Sequence, residues 1–387
     1  MIFTNNINNI INIEKDAFYF NKDYSNTKLY KYYNSLISGF EGKRVLINQN
    51  NKIETGHNVL HRDKEFSNKM NSYVTRIKER NSLIVDNLFV FTDDYGDRNI
   101  CHWMTEQLLV LNYLIDILNT LNNYKTSNDS SSDEYKVYVL INKNPRNSMF
   151  QIIRDYLSKI PLLESVDILE IDLQTGELYN YDNINGIYNS INKFSILSKN
   201  IFIGNSISNN LGSLYSGWNF LHNRLLILDT NEITYNNYVT PLSNFKNFYM
   251  SRRNLLDTSK KTNTRVMENL VEISDTICFK NYIEVFTDEL NSLDDRINLF
   301  KEAQNIVCEL GAGMHNLLYC SEGINVYIMF QKNNYSWLQE YFPLFQNKKM
   351  KVTLLVGETT SNQHNGNWLN TPWKLDVIEL NKIPNVV

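Results

Sequence analysis

From residue 245 onward the chain alternates between short apolar runs and longer stretches in which apolar positions recur every three or four residues. Short runs rich in β-branched and aromatic side chains predict buried strands, and the wider spacing predicts helices. FKNFYMS, YIEVF, NIVCEL, NVYIMF and KVTLLV read as strands. RVMENLVEIS, LDDRINLFKEA, GMHNLLYC and YSWLQEYF read as the helices between them. Strands that alternate with helices form a mainly parallel sheet.

The first half is less regular. NSLIVDNLFVF predicts a strand ending near Phe91, and CHWMTEQLLVLNYLIDILNTL has the length and spacing of a largely buried helix. YKVYVLI, SVDILEID and NIFIG read as strands and SMFQIIRDYLSKI as an amphipathic helix, so a mainly parallel sheet is expected here too. TSNDSSSDE, residues 126–134, is too polar to bury and reads as a surface loop. The polar stretch NEITYNNYVTPLSN, residues 231–244, is the natural connection between domains. The expected fold class is therefore α/β, with two Rossmann-like domains at 1–235 and 236–387.

Composition narrows the function classes. With 387 residues, 42% hydrophobic and 21% charged, the chain is globular and long enough for two domains. A formal charge of -4 and dispersed lysines argue against nucleic acid as a partner. MIFTNNINNIINIEKDAFYF lacks a basic start and is broken by asparagines, and no later run is apolar enough for a transmembrane segment, so a cytoplasmic protein is expected. Cys101, Cys278, Cys308 and Cys320 lack zinc or CxxC spacing, which suits buried thiols in a reducing compartment. Abundant Asn, Ile, Lys and Tyr beside 14 Gly and 6 Pro reflect an A+T-rich coding bias, so single asparagines carry little weight.

Gly311 and Gly313 fall where a strand turns into a helix, the position at which parallel sheets bind ligands. Glycines there permit positive φ and close approach, and the following helix offers free N–H groups to a diphosphate. A tight, closely packed turn accounts for the same glycines equally well. GxGxxG and GxxxxGK[ST] are absent, which disfavours an NAD enzyme or a P-loop ATPase. Arg252 ends a strand and is placed for bidentate phosphate contact or for a surface ion pair, with Arg253 pointing the other way.

Asn99, His102, Trp103 and Glu106 share one helix face if the helix starts near Arg98. His102 in a first turn would be held neutral by the helix dipole, as a general base requires, and Glu106 could accept from it or act itself. A capped helix with Trp103 in the core is the plainer alternative. Asp93, Asp94 and Asp97 precede this helix and could cap it, supply a base or hold a metal, although no DxD is present. Trp368 and Trp373 could stack on sugar rings or anchor the carboxyl terminus on the other domain.

AQNIVCELGAGMHNLLYCSEGINVYIMF resembles the Gly-Ala-Gly-x-x-Asn signature of glycosyltransferase family 61. FYMSRRNLLDTSKKTNTRVMENLVEI is similar to the family's Ser-Arg strand end and following helix, and NICHWMTEQLLVL to its Asn-x-x-His-Trp-x-x-Glu helix. The three occur in family order across residues 85–330. The resemblance implies an inverting glycosyltransferase of GT-B type that moves a sugar from a nucleotide sugar, a UDP-sugar above all, to a glycan acceptor without an obligatory metal. An oligomer is compatible with it. It implies donor binding in the carboxyl-terminal domain by Ser251, Arg252, Arg265, Gly311, Ala312, Gly313 and Asn316, and catalysis by His102 or Glu106 in the acceptor-side domain. Asp97 is a secondary base candidate from its place ahead of the helix, and His315 or Glu309 could stand in for a histidine beside the glycines. Many members carry His directly before Gly-Ala-Gly; here that position is Leu310, so that histidine's role does not carry over.

Overall fold

The structure, a computed structural model, describes residues 13–14, 17–19, 27–40, 42–54, 73–91, 108–128, 136–143, 147–160, 166–182, 187–206, 218, 221–225, 246–255, 267–290, 292–360 and 371–386. The chain separates into two compact units, Met1–Ile227 and Leu228–Val387. Each has its own sheet, and the fold is mixed α/β.

The first unit begins with β1 (Ile13–Glu14), β2 (Ala17–Tyr19), β3 (Thr27–Phe40), β4 (Lys43–Ile47), β5 (Ile53–Glu54), α1 (Val74–Lys78) and β6 (Ser82–Val90). A 3-10 turn at Leu108–Val110 runs into α2 (Leu111–Asn128), followed by β7 (Val137–Asn142), α3 (Asn147–Ser158) and β8 (Val166–Ile171). β9 (Leu178–Asp182), β10 (Ile187–Ser190) and β11 (Ser195–Ser206) complete it. These form an 11-stranded sheet in the order β1-β2-β3-β11-β6-β7-β8-β9-β10, with β4 and β5 branching from β3.

Only β11, β6, β7 and β8 run parallel to one another, and antiparallel strands flank them on both sides. The expectation of a mainly parallel sheet is thus corrected for this unit. Phe40 pairs with Lys43 across a two-residue turn, with Gly42 at φ 78. So short a connection permits only an antiparallel neighbour. The loop expected from residue 126 also begins later, since α2 continues through Asn128.

One face of the parallel centre is the core, with Leu88, Val90, Leu140, Leu169, Ile201 and Ile203 buried together. On β11 a Cβ at Gly204 would lie 1.9 Å from Val110 Cγ1, so the missing side chain lets the Leu108–Val110 turn seat against the sheet.

The second unit holds β12 (Asn247–Ser251), α4 (Leu270–Phe279), β13 (Ile283–Phe286), α5 (Leu293–Lys301) and β14 (Asn305–Glu309). A 3-10 helix, Ala312–Tyr319, leads to β15 (Asn325–Gln331), a 3-10 turn at Lys332–Asn334, α6 (Tyr335–Gln339) and α7 (Phe342–Asn347). β16 (Lys351–Thr359) and β17 (Trp373–Lys374) close the sheet. All five strands read from the sequence of this half are present. Their order is β13-β12-β14-β15-β16-β17, parallel except for the last pair.

The helices form for local reasons. Ser292 caps α5 by accepting from Asp295 N at 3.0 Å, and Asp294 and Asp295 oppose the positive end of the helix dipole. Trp373 is an anchor, but within its own unit: it is buried with Tyr249, Ile273, Met329 and Leu355. Gly357 makes room for it, since a Cβ there would lie 2.4 Å from Trp373 Cε3. Gly323 holds φ 80 in the turn before β15.

Candidate functional site at the carboxyl edge of the second sheet

The chain leaves β12 for β13 on one side and returns to β14 on the other. Connections therefore diverge between β12 and β14, and such a switch point opens a crevice beyond the carboxyl ends of the strands. Met250 pairs with Cys308, so Ser251 and Arg252 leave the sheet beside Glu309, Leu310 and Gly311. Two segments far apart in sequence thus share one crevice.

The glycine turn is built differently from the expectation. Gly311 is extended at φ 169 and Gly313 is not among the positive-φ residues, so neither glycine serves a left-handed backbone. At Gly313 the use is close approach. A Cβ at Gly313 would stand 3.3 Å from Thr287 Oγ1, at the carboxyl end of β13. The following helix is 3-10, so its hydrogen bonds close three residues back, as with Met314 N to Gly311 O at 3.0 Å.

Asn316 and His315 both face inward, at 1% exposure each. Asn316 Nδ2 donates to Gly313 O at 2.8 Å, and its Oδ1 accepts from Arg296 Nη1 at 2.7 Å. Arg296 also donates to the carbonyls of Thr287 and Leu290 at 2.8 and 2.9 Å. One buried guanidinium thereby ties the segment that follows β13 to the glycine turn. His315 Nδ1 lies 3.1 Å from Ala312 O; donating there makes Nε2 the acceptor nitrogen of the neutral ring. Tyr341 packs edge-on against His315 and places its hydroxyl 3.4 Å from Gly311 O. Asn316 and His315 therefore shape the turn from beneath.

The adjacent arginines differ sharply. Arg253 forms ion pairs with Asp275 and Glu284. Arg252 has none among the described residues, and its Nη1 is buried without a hydrogen-bond partner. Ser251 Oγ accepts from Arg253 N at 3.1 Å, which fixes the bend that separates the two side chains. At the end of β15, Gln331 Nε2 and Asn334 Oδ1 are likewise buried and unsatisfied. Buried polar groups are normally paired, so these three atoms carry hydrogen-bonding capacity that no described residue uses.

At the start of α4, Asn269 is engaged structurally, donating to Leu375 O at 2.8 Å while its Oδ1 accepts from Leu375 N. Asp93, Asp94, Asp97, Asn99, Cys101, His102, Trp103, Glu106, Arg265 and Trp368 lie outside the described residues, as does the 231–244 connection. Thr287, Arg296, Gln331, Asn334 and Tyr341 are the contributors that sequence reasoning missed. Arg296 carried a signal, since it sits in the apolar stripe Leu293, Ile297, Phe300 of α5, where a surface arginine has no place.

Cys308 and Cys320 are free and buried, and burial pushes the Cys320 thiol up to about 12, so neither offers a thiolate near neutral pH. Among the described residues no group of three His, Cys, Asp or Glu could hold a metal ion. None of their helices is long and apolar enough to cross a membrane.

The family profile for Glycosyltransferase 61 matches residues 100–327, more than half of the chain. The protein belongs to glycosyltransferase family 61, as the three sequence motifs indicate. Among curated proteins, none matches it in a direct sequence comparison.

Proposed function

We propose that this protein is an inverting glycosyltransferase of GT-B arrangement that transfers a sugar from a UDP-sugar to a hydroxyl of a glycan acceptor in the cytoplasm, with no obligatory metal. One observation carries the reading. Arg252, which has no ion pair among the described residues, stands at the switch point beside the N–H groups that open the Ala312–Tyr319 helix. A cation and oriented amides form a site for a diphosphate.

The acceptor oxygen attacks the anomeric carbon as the bond from that carbon to the phosphate oxygen breaks. The departing nucleoside diphosphate gains negative charge, which Arg252 and the helix N–H groups stabilise without a metal ion. The acceptor's proton passes to a base, which we assign to His102, Glu106 or Asp97. Ser251, Gly311, Ala312 and Gly313 give the diphosphate room, while His315 and Asn316 keep the turn rigid. Arg265 joins this donor set by motif.

The test is calorimetry with UDP together with sugar transfer in EDTA. UDP should bind the wild-type protein and bind Gly313→Val weakly, and transfer should persist in EDTA. His102→Ala or Glu106→Ala should lose about 10²- to 10⁴-fold in transfer rate while binding UDP normally. Absence of UDP binding, or activity abolished by EDTA and restored by manganese, would overturn the reading.

A second reading, a nucleotide-binding protein without turnover, draws on Leu310. It is apolar and 6% exposed where many relatives carry histidine. UDP binding with neither hydrolysis nor transfer of any UDP-sugar would favour it.

A further inference from the structure

Gln331 and Asn334 lie at the carboxyl end of β15, next to the strand that carries the glycine turn. They are 2% and 5% exposed. Asn334 Nδ2 donates to Gln331 Oε1 at 3.4 Å, which leaves Gln331 Nε2 as an unsatisfied donor and Asn334 Oδ1 as an unsatisfied acceptor. Rotating both amides together exchanges their roles but still leaves one donor and one acceptor. The pair thus has a fixed hydrogen-bonding demand that nothing in the described structure meets.

A donor beside an acceptor is what the Watson–Crick edge of a nucleobase complements. Uracil offers O4 to the donor and N3–H to the acceptor. The position agrees with the length of such a ligand. Adjacent strands lie about 4.8 Å apart, so β15 stands roughly 10 Å from β12, where Arg252 would hold a phosphate. Between them, after β14, lies the Gly311–Gly313 turn. Tyr341 closes the arrangement by tying the segment after Asn334 back to Gly311 O.

We propose that Gln331 and Asn334 are the base-reading residues of the donor site, pairing their unsatisfied donor and acceptor with the edge of a nucleobase. The proposal rests on the nucleotide-sugar reading of this site and adds the residues that distinguish a nucleotide from its bare diphosphate. It also explains why two amides should sit unsatisfied in a buried place. Buried polar atoms kept only for packing are replaced by apolar groups of similar shape at little or no loss of stability.

The probes are UDP and inorganic pyrophosphate, with calorimetric affinity and melting temperature measured on the full chain. Gln331→Met and Asn334→Leu, singly and together, should bind UDP about 10- to 100-fold more weakly, the range expected of a bidentate base contact. They should bind pyrophosphate as the wild type does, and the double variant, which removes both partners of the buried hydrogen bond, should melt at or near its temperature. Gln331→Glu removes the donor while keeping the shape and should show the same selective loss. Arg252→Met should weaken both probes. If Arg252→Met weakens UDP and the amide variants do not, the base-reading proposal fails while the donor site stands. If wild-type protein binds neither probe, both fall.

Discussion

The two sheets treat buried charge at their strand ends in opposite ways. In the first unit Glu170, fully buried near the end of β8, is held by Arg154 through Nε at 3.0 Å and Nη2 at 2.6 Å. Tyr188 completes the arrangement by accepting from the same guanidinium at 2.9 Å. In the second unit Arg252, Gln331 and Asn334 each keep a buried atom unsatisfied. The first edge pairs its buried charge with a guanidinium, although Glu170 Oε2 itself keeps no hydrogen bond, whereas Arg252 at the second edge has no ion pair among the described residues. The contrast distinguishes a charge held by a partner within the fold from an arginine that the proposed function assigns to a ligand.

The comparison breaks most visibly at Arg154. Arg154→Met strands a carboxylate in the core and should cost about 3–5 kcal/mol in urea unfolding at pH 7. Burial raises the Glu170 pKa, and Arg154 opposes that rise. A carboxylate whose folded pKa is raised favours folding at low pH and loses that contribution as pH climbs through the folded value. Removing Arg154 enlarges the rise, so the penalty should shrink as pH falls toward the Glu170 pKa. An equal penalty at all pH values would mean that packing, not charge, is what Arg154 supplies.

Gly357→Ala comes next. Its Cβ would meet Lys374 O at 2.5 Å as well as the Trp373 ring, and overpacking of this kind costs about 1–3 kcal/mol. A lowered melting temperature with unchanged UDP affinity would place that glycine with the fold.

The neighbouring arginines sharpen the contrast further. Arg252→Met should lower UDP affinity by about 1.5–3 kcal/mol, the usual worth of hydrogen bonds to a charged group, and leave the melting temperature unchanged. Arg253→Met should do the reverse on a smaller scale. Its side chain is 33% exposed, so its ion pairs contribute about 0–1 kcal/mol to stability. Equal effects of the two substitutions on UDP binding would erase the distinction between them.

The second sheet was legible because each strand is a short apolar run bounded by a helix of matching period. In the first unit β3 escaped notice. TKLYKYYNSLISGF mixes tyrosines, lysines and serines, and Lys31 and Ser35 are buried on it, so hydrophobicity does not announce the strand. Its pairing with β11 is set by residues more than 150 positions away, as in Ser35 with Ser198. At the site, Gly311, Gly313 and Arg252 were visible as residue types out of keeping with a strand or helix. Gln331 and Asn334 were not, because in a chain so rich in amides only an unsatisfied atom distinguishes them from any other polar side chain.

The strand order also governs how the chain is made. β12 is the first strand of its sheet to be synthesised, yet it ends between β13 and β14. Four of its five residues are buried in the finished protein. About 50 residues separate β12 from β14, which at ~5–20 residues per second on the ribosome is a delay of roughly 3–10 s. Throughout that interval the nascent strand exposes an unpaired apolar edge, the template on which chains add to one another. The inversion that opens a ligand crevice in the folded protein therefore makes the growing chain dependent on shielding until β14 emerges.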